Sequence, residues 1–249
     1  MADDLKINKT VLQVFKILDA INNATNPVGV SELTRMTALP KTTVFRLLST
    51  LEYLDAVEAN SLHQYKIGTK ILAYAKSVDH QNSLVKVAKP YMKQFAAATH
   101  ENINIGILYE NQVLYLDSEE GEQFNLQVNL FPVAPLYCSS MGKIFLSAFT
   151  SAELAHYLDQ TELHMRTVNT LVTPDQLKQA VTKVATEHLA YDNEEYEYGL
   201  TCIAVPIYQQ GKLIASASVS GPTSRLKVRG WSYIKQSIID FGETINNLL

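Results

Sequence analysis

The sequence predicts an α+β protein of two parts: a small helical part that ends in two short strands, and a larger part of strands and helices. Up to Gly68, apolar residues recur at helical spacing in three successive segments before the pattern changes to alternation. Beyond Asn102, alternating strand patterns follow one another with helical patterns around them, which is typical of an α+β domain. The chain has 249 residues, of which 47% are hydrophobic. This is enough for two domains that each bury a core.

Composition excludes several classes of protein. No apolar run approaches the length needed to cross a bilayer, and the N-terminal "MADDLKINKT" has no apolar signal core. The two cysteines, Cys138 and Cys202, are far apart, which argues against a disulfide scaffold or a cysteine-rich zinc site. We therefore predict a cytoplasmic protein with no membrane partner.

The charge distribution is only mildly uneven. The net charge is −4, with nine Lys and Arg against seven Asp and Glu up to Ser77, and twelve against eighteen beyond it. A slightly basic front therefore precedes an acidic body. This bias is too weak to establish DNA binding without a structural motif.

Two helices are predicted before residue 40. The first covers residues 8–22, and its apolar face is formed by Val11, Leu12, Phe15, Leu18 and Ile21. The segment "NNATNPVG" ends it with Asn, Pro and Gly. Ser31 is placed to cap a short helix over "SELTRMTA". Leu39-Pro40 ends this second helix, because proline disfavours helical geometry in the residue before it.

The third predicted helix begins near Lys41 and has two different faces. Its apolar face is formed by Val44, Leu47, Leu48, Leu51 and Leu54. Its first turn is polar and partly cationic, with Lys41, Thr42, Thr43 and Arg46. The alternative to a binding role is that the two threonines only cap the helix.

A two-stranded wing with a polar tip at residues 60–64 is predicted after this helix. Three helices followed by a wing form a winged helix-turn-helix, in which the second helix of the pair enters the major groove of DNA. Lysine neutralises phosphates, threonine hydroxyls donate hydrogen bonds, and arginine can fork onto a guanine edge. The predicted DNA contacts are Ser31, Lys41, Thr42, Thr43, Arg46, His63 and Lys66.

A helix is predicted to join the two parts. It carries Ile71, Leu72 and Ala75 at helical spacing, an apolar stripe that needs a partner. One winged helix contacts few bases, so we expect a homodimer, or a dimer of dimers, on a near-palindromic double-stranded operator. The predicted boundaries are residues 1–68 for the DNA-binding domain, 69–82 for the linker helix and 83–249 for the second domain.

The second domain combines helices and strands in succession. Helices are predicted over 84–99, 139–149, 151–158, 173–188 and 229–249, and strands over 102–109, 112–118, 124–130, 202–209 and 213–220. Thr173, Pro174 and Gln176 give one helix a capping-box start. The Gln210-Gly211 turn predicts that the last two strands pair as a hairpin.

Several segments together resemble one protein family. "VSELTRMTALPKTTVFRLLSTLEYLDAVE", followed by "YKIG", is similar to the helix-turn-helix of the IclR family of bacterial transcription regulators. "PLYCSSMGKIFLSAF", "YDNEEYEYGLTCIAVPIY" and "ASVSGPTSR" are similar to segments of the second domain of that family, so the resemblance spans nearly the whole chain. Asp55, Asn129 and Tyr137 depart from it, since they stand where the family has Gly, Gly and His.

The resemblance implies a repressor with a GAF-like effector domain, a mixed or antiparallel sheet flanked by helices that binds a small metabolite. The implied effector-binding residues are Ala134, Asp192, Cys202, Ser218 and Ser220. Ser218 and Ser220 are two apart, so both point to one face of a strand. Two hydroxyls and a thiol on an apolar sheet favour a small polar organic acid as the effector. The alternative is that these serines only keep a close-packed sheet small.

Two other classes of function stay open. An enzyme would need Cys202 as a nucleophile with a nearby base, but the six histidines are scattered singly along the chain. "SSMGKI" fails as a phosphate-binding loop, because Tyr137 stands in the place of its first Gly. We predict no catalytic residue, no metal and no cofactor. A pure interaction module would bind another protein through the acidic body and would have no small-molecule pocket.

Overall fold

The computed structural model of the chain describes residues 7–81, 83–121 and 132–249, and of residues 76–81 and 83 only the backbone. Internal contacts divide the chain into two units, Met1–Gln81 and Asn82–Leu249, called here the N-terminal and C-terminal units. The strand predicted over 124–130, together with Asn129, lies outside the described residues.

The described residues of the N-terminal unit form four helices and a small antiparallel sheet. Its elements are α1 (Lys9–Asn22), β1 (Val28–Gly29), α2 (Val30–Thr37), α3 (Lys41–Tyr53), β2 (Val57–Ala59), β3 (Gln64–Ile67) and α4 (Thr69–Gln81). The strand order is β1-β3-β2, so the wing has a third, two-residue strand that the sequence pattern does not predict. Leu33, Leu48 and Tyr65 are buried in the common core of the helices and the wing. The predicted winged helix-turn-helix is confirmed.

The predicted apolar face of α1 is right at Leu18 and Ile21, which belong to or pack against the core, and wrong at its first three positions. Val11, Leu12 and Phe15 are 51%, 52% and 59% exposed, whereas Ile17 and Ile21 are 0% and 4% exposed. Apolar residues occupy more than one side of this helix, and the side at positions 17 and 21 is the one that packs into the core. A second apolar side of α1 therefore has no partner among the described residues of this unit.

The predicted helix boundaries need two corrections. Gly29 holds the N-cap position of α2 without a side-chain hydrogen bond, so Ser31 is the second residue of the helix and not its cap. Strand β1 leads directly into α2, and its pairing places Gly29 at the cap. Helix α3 ends at Tyr53. Leu54, predicted on the buried face, lies beyond the helix and is 50% exposed.

The corner between α3 and the wing requires an unusual backbone. Asp55 adopts a left-handed conformation with φ of 58°. Glycine is the usual residue there, and aspartate is one of the few others that tolerate it. Gly68 packs against this corner, where an added Cβ would lie 2.3 Å from the Asp55 backbone oxygen. A glycine at 68 therefore has a steric reason.

The C-terminal unit contains six helices and six strands among the described residues. Its elements are α5 (Ser83–Thr99), β4 (Asn102–Tyr109), β5 (Gln112–Glu119), β6 (Val133–Pro135), α6 (Ser140–Ser147), α7 (Ser151–Gln160), α8 (Pro174–Glu187), β7 (Ala190–Asn193), β8 (Leu200–Gln209), β9 (Lys212–Pro222), α9 (Thr223–Arg229) and α10 (Trp231–Leu248). The strands form one sheet in the order β6-β5-β4-β9-β8-β7, with antiparallel pairing throughout. The predicted α+β class with a helix-flanked sheet is confirmed.

Helices cover the sheet on both faces. Ile103, Ile203 and Val219 belong to a core that also contains residues of α5 and α10. Cys202 and Ala204 belong to a second core with residues of α6 and α8. The capping box of Thr173 and Gln176 at the start of α8 is present as predicted. Among the described helices, none is long and apolar enough to cross a membrane.

Helix α9 has no counterpart in the sequence prediction, and distant charges explain why. Its Arg225 and Arg229 bind the carboxylate of Glu101, at 2.6 Å and 3.0 Å respectively. Glu101 is 0% exposed, so these contacts neutralise a buried charge. The partners are more than 120 positions apart in sequence, so no local pattern indicates them.

Candidate functional site

The first turn of α3 presents polar side chains to solvent. Lys41, Thr42 and Arg46 are exposed and Thr43 is half-buried, while Val44 behind them is fully buried. The N-cap residue of α3 makes no side-chain hydrogen bond. Among the described residues, no hydrogen bond uses the hydroxyls of Thr42 or Thr43. The threonines therefore do not cap the helix and are available to a ligand outside the chain.

Phe45 belongs to this surface, although the sequence analysis did not select it. It is 59% exposed and lies three and four positions after Thr42 and Lys41, on the same side of α3. An exposed aromatic ring at the start of a recognition helix can contact a thymine methyl group. The signal in the sequence is a large apolar residue outside the leucine face. We call Lys41, Thr42, Phe45 and Arg46 the recognition surface.

The other predicted DNA contacts lie at the edges of the winged helix. Ser31 is exposed near the start of α2, and His63 is exposed at the wing tip with φ of 54°. Lys66 on β3 is paired with Glu58 on β2, with its Nζ 3.0 Å from Oε2. The hydrogen bond from Lys66 lowers the pKa of the Glu58 carboxyl. Lys66 is therefore partly neutralised already within the wing.

Three of the predicted effector residues form a row across the C-terminal sheet. Asp192 on β7 is paired with Cys202 on β8, and Cys202 with Ser220 on β9. Ser218 pairs with Ala204 one step along the same face. Asp192, Cys202, Ser218 and Ser220 are all at most 6% exposed. We call these four residues the polar row.

Ala134 does not join this row. It lies on β6, the opposite edge strand of the sheet, where it pairs with Val113. Ala134 and Cys202 both belong to the large apolar core that includes residues of α6. Its predicted role in effector binding remains a prediction.

The two serines differ in how their hydroxyls are used. Ser220 Oγ accepts a hydrogen bond from Asn104 Nδ2 at 3.1 Å, and Asn104 Oδ1 accepts one from Ser118 Oγ at 2.8 Å. Among the described residues, no hydrogen bond uses the Ser218 hydroxyl. Ser220 is therefore part of a polar chain on β4, β5 and β9, whereas Ser218 is the freer donor.

Asp192 anchors the turn that follows β7. Its Oδ1 accepts the backbone N–H groups of Glu195 at 2.7 Å and Tyr196 at 3.2 Å. Burial raises the pKa of the Asp192 carboxyl to about 7, against the lowering effect of Lys143 and of these two donors. A carboxyl in this range changes charge near neutral pH and so is sensitive to a ligand beside it.

Cys202 is poorly suited to catalysis. Burial and the neighbouring Asp192 carboxyl raise the pKa of its thiol well above the ordinary value. Because the thiolate is the nucleophile, a thiol that stays protonated is unreactive at neutral pH. Cys202 is therefore a poor candidate for a nucleophile.

Sequence reasoning missed a buried ion pair beside the polar row. Lys143 on α6 reaches Glu195, with Nζ 2.5 Å from Oε1, and the two side chains are only 4% and 7% exposed. Glu195 Oε2 is buried and has no hydrogen-bond partner within the part of the chain that the structure describes. A single lysine inside the apolar helix "SSMGKIFLSAF" is the signal that could have indicated a buried partner.

Near the polar row, the segment that precedes α6 is hydrogen-bonded to the loop that precedes α8. Tyr137 donates from its hydroxyl to the His164 backbone oxygen at 3.0 Å. The Arg166 guanidinium stacks on the Tyr196 ring, 4.0 Å from its centroid, and Nε donates to the Tyr196 oxygen at 3.0 Å. Tyr137 thus ties the two segments together.

A winged helix-turn-helix and a separate α+β unit with a buried polar row together define a regulator that binds DNA and senses a small molecule. Residues 10–61 match the IclR helix-turn-helix domain, and residues 75–247 match the family described as Bacterial transcriptional regulator IclR C-terminal. The chain belongs to the IclR family of bacterial transcriptional regulators, as the resemblance of its motifs predicts.

Individual relatives agree with this assignment. The chain is 30% identical to the HTH-type transcriptional regulator KdgR of Dickeya chrysanthemi, over 87% of this chain and 72% of the relative. It is also 30% identical to the HTH-type transcriptional repressor AllR of Salmonella typhi, over 84% and 78%. The crystal structure of an IclR homologue from Microbacterium hydrocarbonoxydans in complex with 4-hydroxybenzoate has the same fold, with a TM-score of 0.75, 20% identity and coverage of 96% and 100%.

Proposed function

We propose that this protein is a transcriptional repressor whose affinity for its operator is controlled by a small organic acid bound at the polar row. The observation that carries the proposal is the buried alignment of Asp192, Cys202 and Ser220 across three adjacent strands. Four buried polar side chains on a sheet that helices cover are costly unless they serve a ligand or one another. AllR is by name a repressor, and the Microbacterium homologue holds a ligand with a hydroxyl and a carboxylate.

The acid end and the hydroxyl end of the effector are assigned to different residues. Ser218 and Ser220 hydroxyls can donate to a carboxylate, because Ser218 is otherwise unused among the described residues. Asp192 suits a hydroxyl, which can donate to its carboxylate, or a carbonyl, which can accept from its protonated form, whereas a carboxylate beside it would be repelled. We therefore propose an effector that carries both groups. The protein would act in the cytoplasm, where its operator is.

A ligand screen tests this function directly. A ligand that binds only the folded protein must raise its melting temperature. We expect at least one small acid with a hydroxyl or carbonyl group to do so and to release the protein from an operator selected out of genomic fragments. A rise in melting temperature with no change in DNA binding would contradict the proposed control of the operator.

The position of Arg46 in the recognition surface predicts the effect of its removal. We expect Arg46→Ala to weaken operator binding by about 1–3 kcal/mol, because a bidentate contact to a base is lost. The melting temperature should not change, since Arg46 is exposed and the buried leucines hold α3. Operator titrations by fluorescence anisotropy measure the effect.

Lys16→Ala is the control for Arg46. Lys16 is an exposed cation of the same unit, on α1 and outside the recognition surface. Its removal should change operator affinity much less than the removal of Arg46. Equal losses for the two variants would show that Arg46 contributes only general charge.

We propose that two copies associate through the N-terminal unit. Leu72 on α4 is 59% exposed, and the unpartnered side of α1 adds Val11, Leu12 and Phe15. Exposed apolar side chains concentrated in so small a unit are typical of an interaction surface. A homodimer would place two recognition helices on a near-palindromic operator, and further contacts between C-terminal units would give a dimer of dimers.

Light scattering tests the association. We expect wild-type protein to be at least dimeric at micromolar concentration and Leu72→Asp to shift the population toward monomer, because a charge would be buried at the interface. Lys70→Asp, two positions away on the same helix, should leave the assembly state unchanged. A monomeric wild-type protein would contradict the proposed dimer.

A further inference from the structure

We propose that Lys143 and Glu195 determine the charge of the effector: together with Asp192 they form one buried charge unit that binds a monoanionic effector together with one proton. The inference rests on the proposed function, in which the polar row binds an acid. It adds two residues and a proton to that site.

The three groups are physically connected. Lys143 Nζ contacts Glu195 Oε1 at 2.5 Å, and the Glu195 backbone N–H donates to Asp192 Oδ1 at 2.7 Å. Asp192 is 1% exposed. Lys143 also favours ionisation of both carboxyls, which lowers the pKa of each against the effect of burial. The charge of any one member therefore depends on the other two.

The unit contains two acids and one base. Lys143 is the only lysine or arginine that is buried among the described residues. The remaining titratable groups around Asp192 are neutral thiols and phenols, namely Cys202, Cys138, Tyr115 and Tyr196. Arg166 stacks on the outer Tyr196 and is itself exposed, so water screens its charge. With both carboxyls ionised, the unit would carry a net charge of −1 in a buried place.

One atom of the charge unit, Glu195 Oε2, has no group that compensates its charge among the described residues. It is the one buried side-chain oxygen or nitrogen in the described residues that lacks a hydrogen-bond partner. Solvent does not reach this atom, although other atoms of Glu195 line a cavity of about 220 Å³. A proton can bind to it without any displacement of the surrounding side chains. Burial raises the pKa of both Glu195 and Asp192, in agreement with one proton held by the pair.

An anionic effector would strengthen this preference. The effector carboxylate, bound at Ser218 and Ser220 on the same buried face of the sheet, still disfavours the ionised form of Asp192, so the complex holds the proton more tightly than the free protein does. With a free Asp192 pKa of about 7, the unit is mostly protonated at pH 6 and mostly ionised at pH 8. Binding above pH 7 then requires proton uptake. The effector affinity should fall up to about tenfold for each pH unit above 7 and should be constant below 6.

Calorimetry with full-length protein tests the proposal. The probes are lactate, glycerate and 4-hydroxybenzoate, which each carry a hydroxyl and a carboxylate. Binding heats at pH 8 in two buffers of different ionisation enthalpy give the number of protons taken up. We expect close to one proton per ligand in the wild type and close to none at pH 6.

Glu195→Gln is the decisive variant, because it removes one negative charge and keeps the shape. The unit then holds one acid and one base and needs no proton, so uptake at pH 8 should vanish and the affinity should become constant from pH 6.5 to 8.5. Glu187→Gln is the matched control. Glu187 lines the same cavity of about 220 Å³ as Lys143 and Glu195, but its partner there is Lys183. Both side chains of this pair are exposed, so water screens their charges and the Glu187 variant should behave as wild type.

The outcomes separate this proposal from the proposed function. Binding of an acid without proton uptake, or with the same uptake in Glu195→Gln, would overturn the charge unit and leave the effector site standing. No binding of any acid at any pH would overturn both. Carbon-13 NMR spectra of the carboxyl groups in the ligand-free wild type give a test that does not depend on the variants. We expect one carboxyl to titrate near pH 7, and titration of every carboxyl below pH 6 would contradict the proposal.

Discussion

Lys143→Met is expected to lower the free energy of unfolding by about 3–5 kcal/mol, because it leaves the buried carboxyl of Glu195 without its cation. The Asp192 carboxyl loses the same neighbouring charge. Methionine fills most of the space of the lysine stem, so lost packing contributes little. Urea unfolding at pH 7.5 measures the change, and at lower pH the loss should shrink as the carboxyls become protonated.

The double variant Lys143→Met, Glu195→Leu distinguishes an unpaired charge from damaged packing. Replacement of a whole buried ion pair by apolar residues is often neutral, so the double variant should recover most of the stability. Lys89→Met is the control. Lys89 pairs with Asp117 and Glu119 but its side chain is 35% exposed, so its loss should cost at most about 1 kcal/mol. Equal losses for Lys143→Met and Lys89→Met would refute the special role of burial.

The second large effect is expected at Ser218. Ser218→Ala should weaken effector binding by about 1.5–3 kcal/mol, since a hydrogen bond to a charged ligand is lost. Stability should hold, because no hydrogen bond among the described residues uses this hydroxyl. Adding Ser220→Ala should weaken binding further, but it also removes the acceptor of Asn104 Nδ2 and should cost about 1 kcal/mol of stability. Effector-dependent release from the operator gives the readout.

Ser216→Ala controls for the loss of a buried hydroxyl on the same strand. Ser216 Oγ donates to the Val205 backbone oxygen at 2.9 Å and so serves the fold. Its variant should lose some stability and keep the wild-type effector response. Without effector, all of these variants should bind the operator as wild type does. If Ser218→Ala responds at the same effector concentration as wild type, the serine is only a packing residue.

Local patterns were sufficient for most of the fold. The leucine periodicity of α3 and the Gln210-Gly211 turn act over a few residues, and both give the observed elements. The hairpin also makes β8 and β9 adjacent, which brings Cys202 and Ser220 into one row. The spacing of Ser218 and Ser220 then fixes their common face.

Contacts between residues that are distant in sequence could not be predicted from local patterns. Helix α1 is apolar on two sides, and only packing decides that Ile17 rather than Phe15 is buried. Lys143 and Glu195 are 52 positions apart, and no local sequence pattern around either residue indicates that they pair. The start of α2 after Gly29 depends on a strand of two residues that pairs with β3 and buries Val28 in the core, and neither contact is local in sequence.

The Lys66–Glu58 pair in the wing affects how strongly DNA binding depends on ionic strength. A protein gains DNA affinity by releasing condensed counterions, one for each phosphate that a free cation neutralises. Lys66 already has an anionic neighbour at 3.0 Å, so it displaces fewer ions than an unpaired lysine would. We then expect the proposed contacts of Lys41 and Arg46 to supply most of this entropic gain. Operator occupancy should accordingly depend less steeply on intracellular salt than the number of cations in the winged helix suggests.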